Sequence, residues 1–154
     1  MRWLILIALI FFPLHAQIQH PDARLKKDLL DTPSVRLVQQ NTRIASVFKM
    51  IEYGIQRCDV DEFKKELGTM VSIAIGSSER GYYSMHQAAS VLSGYFSRRR
   101  SVSFAFSRIY VKGSAPYATG RLLYIQKGTQ ESAQVYVSLT KQESRWVINQ
   151  FNIY

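Results

Sequence analysis

Residues 101–154 constrain the fold more than any other part of the chain, because they predict four consecutive β-strands. Short turn-forming clusters at 113–116, 128–131 and 141–144 separate these strands. Runs of about ten β-branched and aromatic residues between such clusters are typical of an antiparallel meander. The four runs are SVSFAFSRIYVKG, YATGRLLYIQKG, SAQVYVSLTKQE and RWVINQFNIY.

The alternation of apolar and polar residues along these strands predicts a sheet with one buried face. In the third strand, Val135 and Val137 fall on one face and Tyr136 on the other, as a side-chain period of two requires. The first strand changes phase after Phe106, and we therefore expect a β-bulge near 107–108. Since a bulge strengthens the local twist, we predict a strongly curved antiparallel sheet with a concave face.

Residues 1–16 have the three parts of a signal peptide. A short positive start, Met1-Arg2, precedes an apolar run over 3–14, and 14–16 resembles a cleavage site before Gln17. The apolar run is shorter than the roughly 20 residues that span a bilayer. We therefore predict an exported protein, periplasmic or secreted, with an uncleaved membrane anchor as the alternative.

The rest of the chain is long enough for one domain that needs neither a metal nor a disulfide. We predict a mobile lead-in over 17–40, where Pro21 and Pro33 interrupt a polar stretch, and a single α+β domain over 41–154. The one cysteine, Cys58, is expected to be a buried small hydrophobe.

A long helix is predicted at the start of the domain. Apolar residues from Ile44 to Ile55 recur at helical spacing, which indicates a helix over 41–57. An earlier start, with Thr32 as the cap and Pro33 in the first turn, is the alternative.

Two more helices and a strand are predicted before the meander. A shorter helix is expected after the cap Asp59, with Gly68 as its terminator. A strand over 69–75 follows. The third helix is expected to begin at the cap Ser84, with Gln87 at the reciprocal position of a capping box.

The charge of the chain bears on its partners. There are 20 Lys and Arg residues against 11 Asp and Glu residues, and a basic excess attracts polyanions. Because we predict export, nucleic acid is not an expected partner, whereas an anionic membrane surface or an acidic envelope polymer is. The cluster Arg98–Arg100 has two interpretations, since cations at the end of a helix also meet the negative end of its dipole.

Three stretches of the chain carry a resemblance to a known family. They are Tyr83-Ser84-x-x-Gln87-Ala88-x-x-x-Leu92-x-x-Tyr95-Phe96, Tyr117-Ala118-x-Gly120-x-Leu122 and Trp146-Val147-Ile148-x-Gln150-Phe151. Over about 42–154 the chain is similar to a family of small exported bacterial proteins of unknown function in the nuclear-transport-factor-two-like (cystatin-like) superfamily. The resemblance implies an α+β fold with helices packed into the concave face of a curved sheet, and it brings no catalytic residues.

The distribution of acids and histidines argues against familiar hydrolytic or isomerase chemistry. After Ser84 the acids are Glu131 and Glu143, both in predicted turns, so no predicted strand interior carries a general base. His86 is expected on the polar side of the third helix. One histidine and one cysteine do not make a metal site, and we predict neither a metal nor a cofactor.

Aromatic residues supply the candidate site. A pocket between the helices and the sheet is predicted, and its candidate lining residues are Tyr95, Phe104, Tyr117 and Arg121. Tyr124 and Tyr136 are predicted to point outward from neighbouring strands, as a cross-strand pair or as the face of a homodimer formed through the sheet.

Three hypotheses on function remain open. The first is a non-enzymatic exported binding module for a small apolar ligand or an envelope protein. The second is an enzyme that uses Arg121 and Tyr117 with Glu52. The third is a basic protein that adheres to the cell envelope, with binding that salt weakens.

Overall fold

The computed structural model describes residues 32–154. The predicted signal peptide, its cleavage site and residues 17–31 of the predicted lead-in lie outside the described residues. In chain order the elements are helix α1 (Pro33–Arg57), strands β1 (Leu67–Ile75) and β2 (Glu79–Ser84), helix α2 (Met85–Phe96), and strands β3 (Arg100–Tyr110), β4 (Tyr117–Gln126), β5 (Thr129–Gln142) and β6 (Arg145–Ile153).

Helix α1 begins at Pro33, so the earlier of the two predicted starts is correct. Thr32 is the extended N-cap and Pro33 occupies the first turn, where its missing N–H costs nothing. Residues 33–40, assigned to the lead-in by the sequence, are therefore helical. No helix within residues 32–154 is long and apolar enough to cross a membrane.

The predicted second helix is wrong. Two short 3-10 turns, Val60–Glu62 and Lys64–Glu66, connect α1 to β1. Asp59 still caps the first turn, because its carboxylate accepts a hydrogen bond from the Asp61 amide at 3.0 Å. Phe63 lies between the turns with a φ of −128°, and burial of its ring against the core outweighs local helix propensity.

Gly68 is not a helix terminator but a buried residue of β1. A Cβ at this position would lie 2.9 Å from the carbonyl oxygen of Ile148 on β6. The glycine therefore permits close approach of the two strands.

The six strands form one mixed sheet in the order β2-β1-β6-β5-β4-β3. The predicted meander β3–β6 is antiparallel throughout, and β1 runs parallel to β6. In β3 the register shifts between Phe106 and Arg108, which confirms the predicted bulge; a second shift lies between Ser101 and Ser103. The sheet is curved and does not close into a barrel.

The two helices pack on the concave face of this sheet, and the hollow is filled by side chains. Helix α1 contributes a fully buried stripe that runs from Ile44 to Ile55, and α2 contributes Ala88, Leu92 and Phe96. The predicted capping box of α2 is present, with the Ser84 amide bonded to the Gln87 side chain at 3.0 Å. Space for a ligand is thus left at the ends of the curved sheet and on its convex face.

Candidate ligand-binding site

An open cleft lies where helix α2 ends, between that helix, the β1–β2 turn and the β4–β5 hairpin. It consists of two adjoining depressions of about 380 and 310 Å³. Both are lined by Ile75, Ser78, Tyr95 and Arg99. Arg98 lines the first depression, and Tyr124 lines the second.

Arg99 lines both depressions of this cleft, and several contacts hold its guanidinium. It follows α2 in the turn before β3, and its Nη1 donates a hydrogen bond to the Tyr95 carbonyl oxygen at 2.5 Å. The guanidinium carbon lies 3.6 Å from the ring centroid of Tyr95 and 5.2 Å from that of Tyr124. Its Nε is out of solvent and has no hydrogen-bond partner within residues 32–154. Two aromatic faces thus orient a cation whose donors are only partly used.

Two tyrosine hydroxyl groups lie beside Arg99. Burial raises the pKa of the Tyr95 hydroxyl well above its usual value; the nearby positive charge of Arg99 opposes this rise, while Tyr124 and Glu131 add to it. The Tyr124 hydroxyl donates to the Glu131 carboxylate at 2.9 Å. A ligand at Arg99 would therefore lie near the Tyr95 phenol and the Glu131 carboxylate, which already has a donor. Glu79 also lines the first depression, and its carboxylate accepts a hydrogen bond from the Tyr83 hydroxyl.

Cys58 lies near this cluster and is partly exposed, whereas the sequence predicts a buried side chain. Burial raises the pKa of its thiol, and this outweighs the hydrogen bond from the Ser101 amide and the charge of Arg99. No group of three or more His, Cys, Asp and Glu side chains able to hold a metal ion occurs within residues 32–154.

The structure divides the four predicted pocket residues between two faces. Tyr95 lines the cleft, and Phe104 is buried in the core beside Phe106. Tyr117 and Arg121 do not lie between the helices and the sheet, which corrects the prediction, because they share a phase of β4 that points away from the helices. The alternate phase, which includes Leu122, is the buried one.

Tyr124 and Tyr136 do not form the predicted outward pair. Tyr124 is only 6% exposed and lies on the core side of β4. Its cross-strand partner is Glu131, whereas Tyr136 pairs with Thr119 on the convex face. Tyr136 does stack, but on Tyr117, at 5.9 Å between ring centroids.

Two members of the site were missed by the sequence interpretation. In the sequence Arg99 stands out only as part of a basic cluster, and Glu131, which is predicted in a turn, lies in β5. The spacing of Tyr95 and Arg99, four residues apart, was the available signal for the first contact.

Glu52, assigned to the enzyme hypothesis, lies on the opposite side of the sheet from Tyr117 and Arg121. Its carboxylate accepts hydrogen bonds from Lys49 and from the Phe106 amide. Burial favours its protonated form, but these two hydrogen bonds and the Lys49 charge outweigh burial and lower the pKa of Glu52. The three residues of that hypothesis are therefore not brought together.

Comparison with known proteins identifies the fold and the family of this chain. No curated protein matches the sequence. A DUF4783 family protein from Bacteroides uniformis superposes with a TM-score of 0.62 at 18% identity, over 68% of this chain and 93% of that one. A ketosteroid isomerase-like protein from Erwinia carotovora atroseptica superposes with a TM-score of 0.60 at 10% identity, over 74% and 94% of the two chains.

An NTF-2 like protein of unknown function from Shewanella oneidensis superposes with a TM-score of 0.52 at 13% identity, over 73% of this chain and 96% of that one. These likenesses establish a nuclear-transport-factor-two-like α+β fold. The model of the family described as "Domain of unknown function (DUF4783)" matches residues 48–154. Because this match spans more than half of the sequence, the chain belongs to the DUF4783 family.

Proposed function

We propose that the protein is an exported, non-enzymatic binding module that holds a small anionic ligand beside Arg99. The observation that carries this proposal is the guanidinium of Arg99, fixed between Tyr95 and Tyr124 with a buried Nε that lacks a partner within residues 32–154. A carboxylate or phosphate oxygen is the acceptor that matches such a donor.

Preorganisation favours this use of Arg99. A free arginine side chain loses rotamer entropy when a ligand immobilises it. Here the hydrogen bond to the Tyr95 carbonyl and the two ring contacts have already fixed the guanidinium. Less of the binding free energy is therefore spent on ordering the side chain.

The size and lining of the cleft suit a small polar ligand. Depressions of about 310 and 380 Å³ are at the lower end of the range for small-molecule sites. Ser78 and Ser132 offer hydroxyl groups, and Ile75 and Val91 offer apolar contact. This differs from the apolar ligand expected from the sequence, because the apolar hollow is occupied by core residues.

The test is native mass spectrometry of the full protein recovered from the periplasm or medium of a bacterium that exports it. We expect a bound small acid that is released on unfolding. Arg99→Gln should lose this adduct. Arg100→Gln is the matched control, because Arg100 is the exposed neighbouring arginine and pairs with Ile125, on the face of β4 that points away from the cleft.

Two results would overturn the proposal. One is a wild-type protein that carries no adduct and also fails to bind inorganic phosphate, acetate or citrate in calorimetry. The other is an adduct that Arg99→Gln retains as well as Arg100→Gln does. Circular dichroism of both variants checks that each is folded.

The anionic group has two possible sources, a free acid or a lipid head group. Flotation with phosphatidylglycerol vesicles, compared with phosphatidylcholine vesicles, distinguishes them. Binding to the anionic vesicles that is lost in Arg99→Gln and falls with salt assigns a head group. Binding of soluble acids without flotation assigns a free ligand.

A further inference from the structure

A second cleft lies on the convex face of the sheet, which neither helix covers. It has a volume of about 280 Å³ and is formed across β4, β5 and β6. On β6 the lining residues Gln150 and Asn152 alternate with the core residues Phe151 and Ile153. The cleft therefore opens on the face of the sheet opposite the core. The lining residues are Thr119, Gln134, Tyr136, Gln150, Asn152 and Tyr154.

The floor of this cleft holds a buried acceptor without a donor. Asn152 is only 5% exposed, and its Nδ2 donates to the Tyr154 hydroxyl at 2.8 Å. Its Oδ1 is buried and has no hydrogen-bond partner within residues 32–154. Since buried polar atoms are nearly always paired, an orphan of this kind requires an explanation. A hydroxyl group of a ligand in the cleft would supply the missing donor.

One wall of the cleft is an ordered aromatic ring. Tyr136 stacks on Tyr117 at 5.9 Å and 21°, and Tyr117 stacks on Tyr110 at 5.5 Å and 30°. These contacts hold the rings in a row across β3, β4 and β5. Tyr117 occupies one face of the Tyr136 ring. Tyr136 is the cross-strand partner of Asn152, and both residues line the cleft.

We infer that this cleft binds a sugar residue of a neutral glycan. The six lining residues include no charged side chain. Amide groups and a threonine hydroxyl both donate and accept hydrogen bonds, and a tyrosine ring offers an apolar face. A sugar ring presents the complementary set, with hydroxyl groups around its edge and C–H groups on its face. The site is independent of the anion proposed at Arg99.

The test is an NMR titration of the full exported protein with maltohexaose and with chitohexaose. At millimolar concentration, at least one of them should cause saturable shifts of the Asn152 side-chain amide and the Tyr136 ring. Asn152→Leu removes the orphan acceptor, and Gln134→Ala removes an exposed lining amide with little risk to folding. We expect each to weaken binding about tenfold.

Gln130→Ala is the matched control, because Gln130 lies on the same strand and the same face but outside the cleft. It should leave the affinity unchanged, as should Arg99→Gln, which separates this inference from the proposed anion site. Tyr154 borders both clefts and is therefore left intact. The inference is overturned by the absence of saturable shifts with both sugars or by equal weakening in Gln130→Ala. It is also overturned if sedimentation shows a dimer that Tyr136→Glu dissociates, because the cleft would then be covered by a second copy of the chain.

Discussion

The carboxylate of Glu52 accepts a hydrogen bond from the backbone amide of Phe106 at 2.9 Å. One turn further along α1, the side chain of Gln56 donates to the carbonyl oxygen of Phe104 at 2.7 Å. Strand β3 is at the edge of the sheet, where backbone groups without a neighbouring strand invite association. Helix α1 thus satisfies the outer edge of β3 through two side chains, close to its bulge.

Removal of the Glu52 carboxylate should destabilise the fold. In Glu52→Ala the Phe106 amide loses its acceptor, and we expect the free energy of unfolding to fall by about 1–3 kcal/mol. Glu52→Gln keeps an acceptor oxygen and should lose less. Lys49→Ala breaks only the ion pair of the exposed Lys49, which is worth less than about 1 kcal/mol. Urea unfolding measures all three; equal losses in Glu52→Ala and Lys49→Ala would contradict the assignment.

The same contact should make stability depend on acidic pH. Burial acts to raise the pKa of Glu52, but the hydrogen bonds from Lys49 and Phe106 hold it below its ordinary value of 4.5. A carboxyl group whose pKa is lower in the folded state stabilises that state above its unfolded pKa, and the contribution is lost as the pH falls through the folded pKa. The free energy of unfolding should therefore decline below pH 4.5 less steeply in Glu52→Gln than in the wild type. Parallel curves would count against this.

Two glycines should respond to alanine in opposite directions. At Gly120 on β4 a Cβ would overlap the Ala105 carbonyl oxygen and would lie 3.0 Å from the Phe104 ring. Overpacking of this kind costs about 1–3 kcal/mol. At Gly94 in α2 a Cβ would meet nothing within 4 Å, and the helix should gain about 0.4–1 kcal/mol. Thermal unfolding of both variants tests the pair, and a stable Gly120→Ala would mean that β3 moves freely away from β4.

Much of the fold was accessible from the sequence because its signals are local. The phase change in β3 located the bulge beside Phe106, and the Ser84–Gln87 spacing located the start of α2. The turns over 60–66 were not accessible, because the burial of Phe63 against Phe151 is a contact between distant parts of the chain.

The phase of β4 shows why the site was harder to predict than the fold. Leu122 and Leu123 are adjacent, so alternation alone does not decide which phase is buried. The small residues Ala118 and Gly120 face the core, where there is little space. Tyr124 lies on the same face of β4. Once that phase is known, Tyr124 lies on the side of the sheet that carries the helices, where the end of α2 meets the sheet.

The Tyr95 hydroxyl should give the protein a second pH dependence, on the alkaline side. Burial, together with Tyr124 and Glu131, raises the pKa of Tyr95 above its ordinary value of 10.0 despite the opposing charge of Arg99. The folded state therefore holds this proton more tightly than the unfolded state. The resulting stabilisation is complete below pH 10 and declines as the pH rises through the folded pKa. Tyr95→Phe cannot ionise, so its free energy of unfolding should fall less steeply above pH 10 than that of the wild type. Chemical unfolding at a series of alkaline pH values measures this difference, and identical slopes would show that the phenol is solvated rather than enclosed beside Arg99.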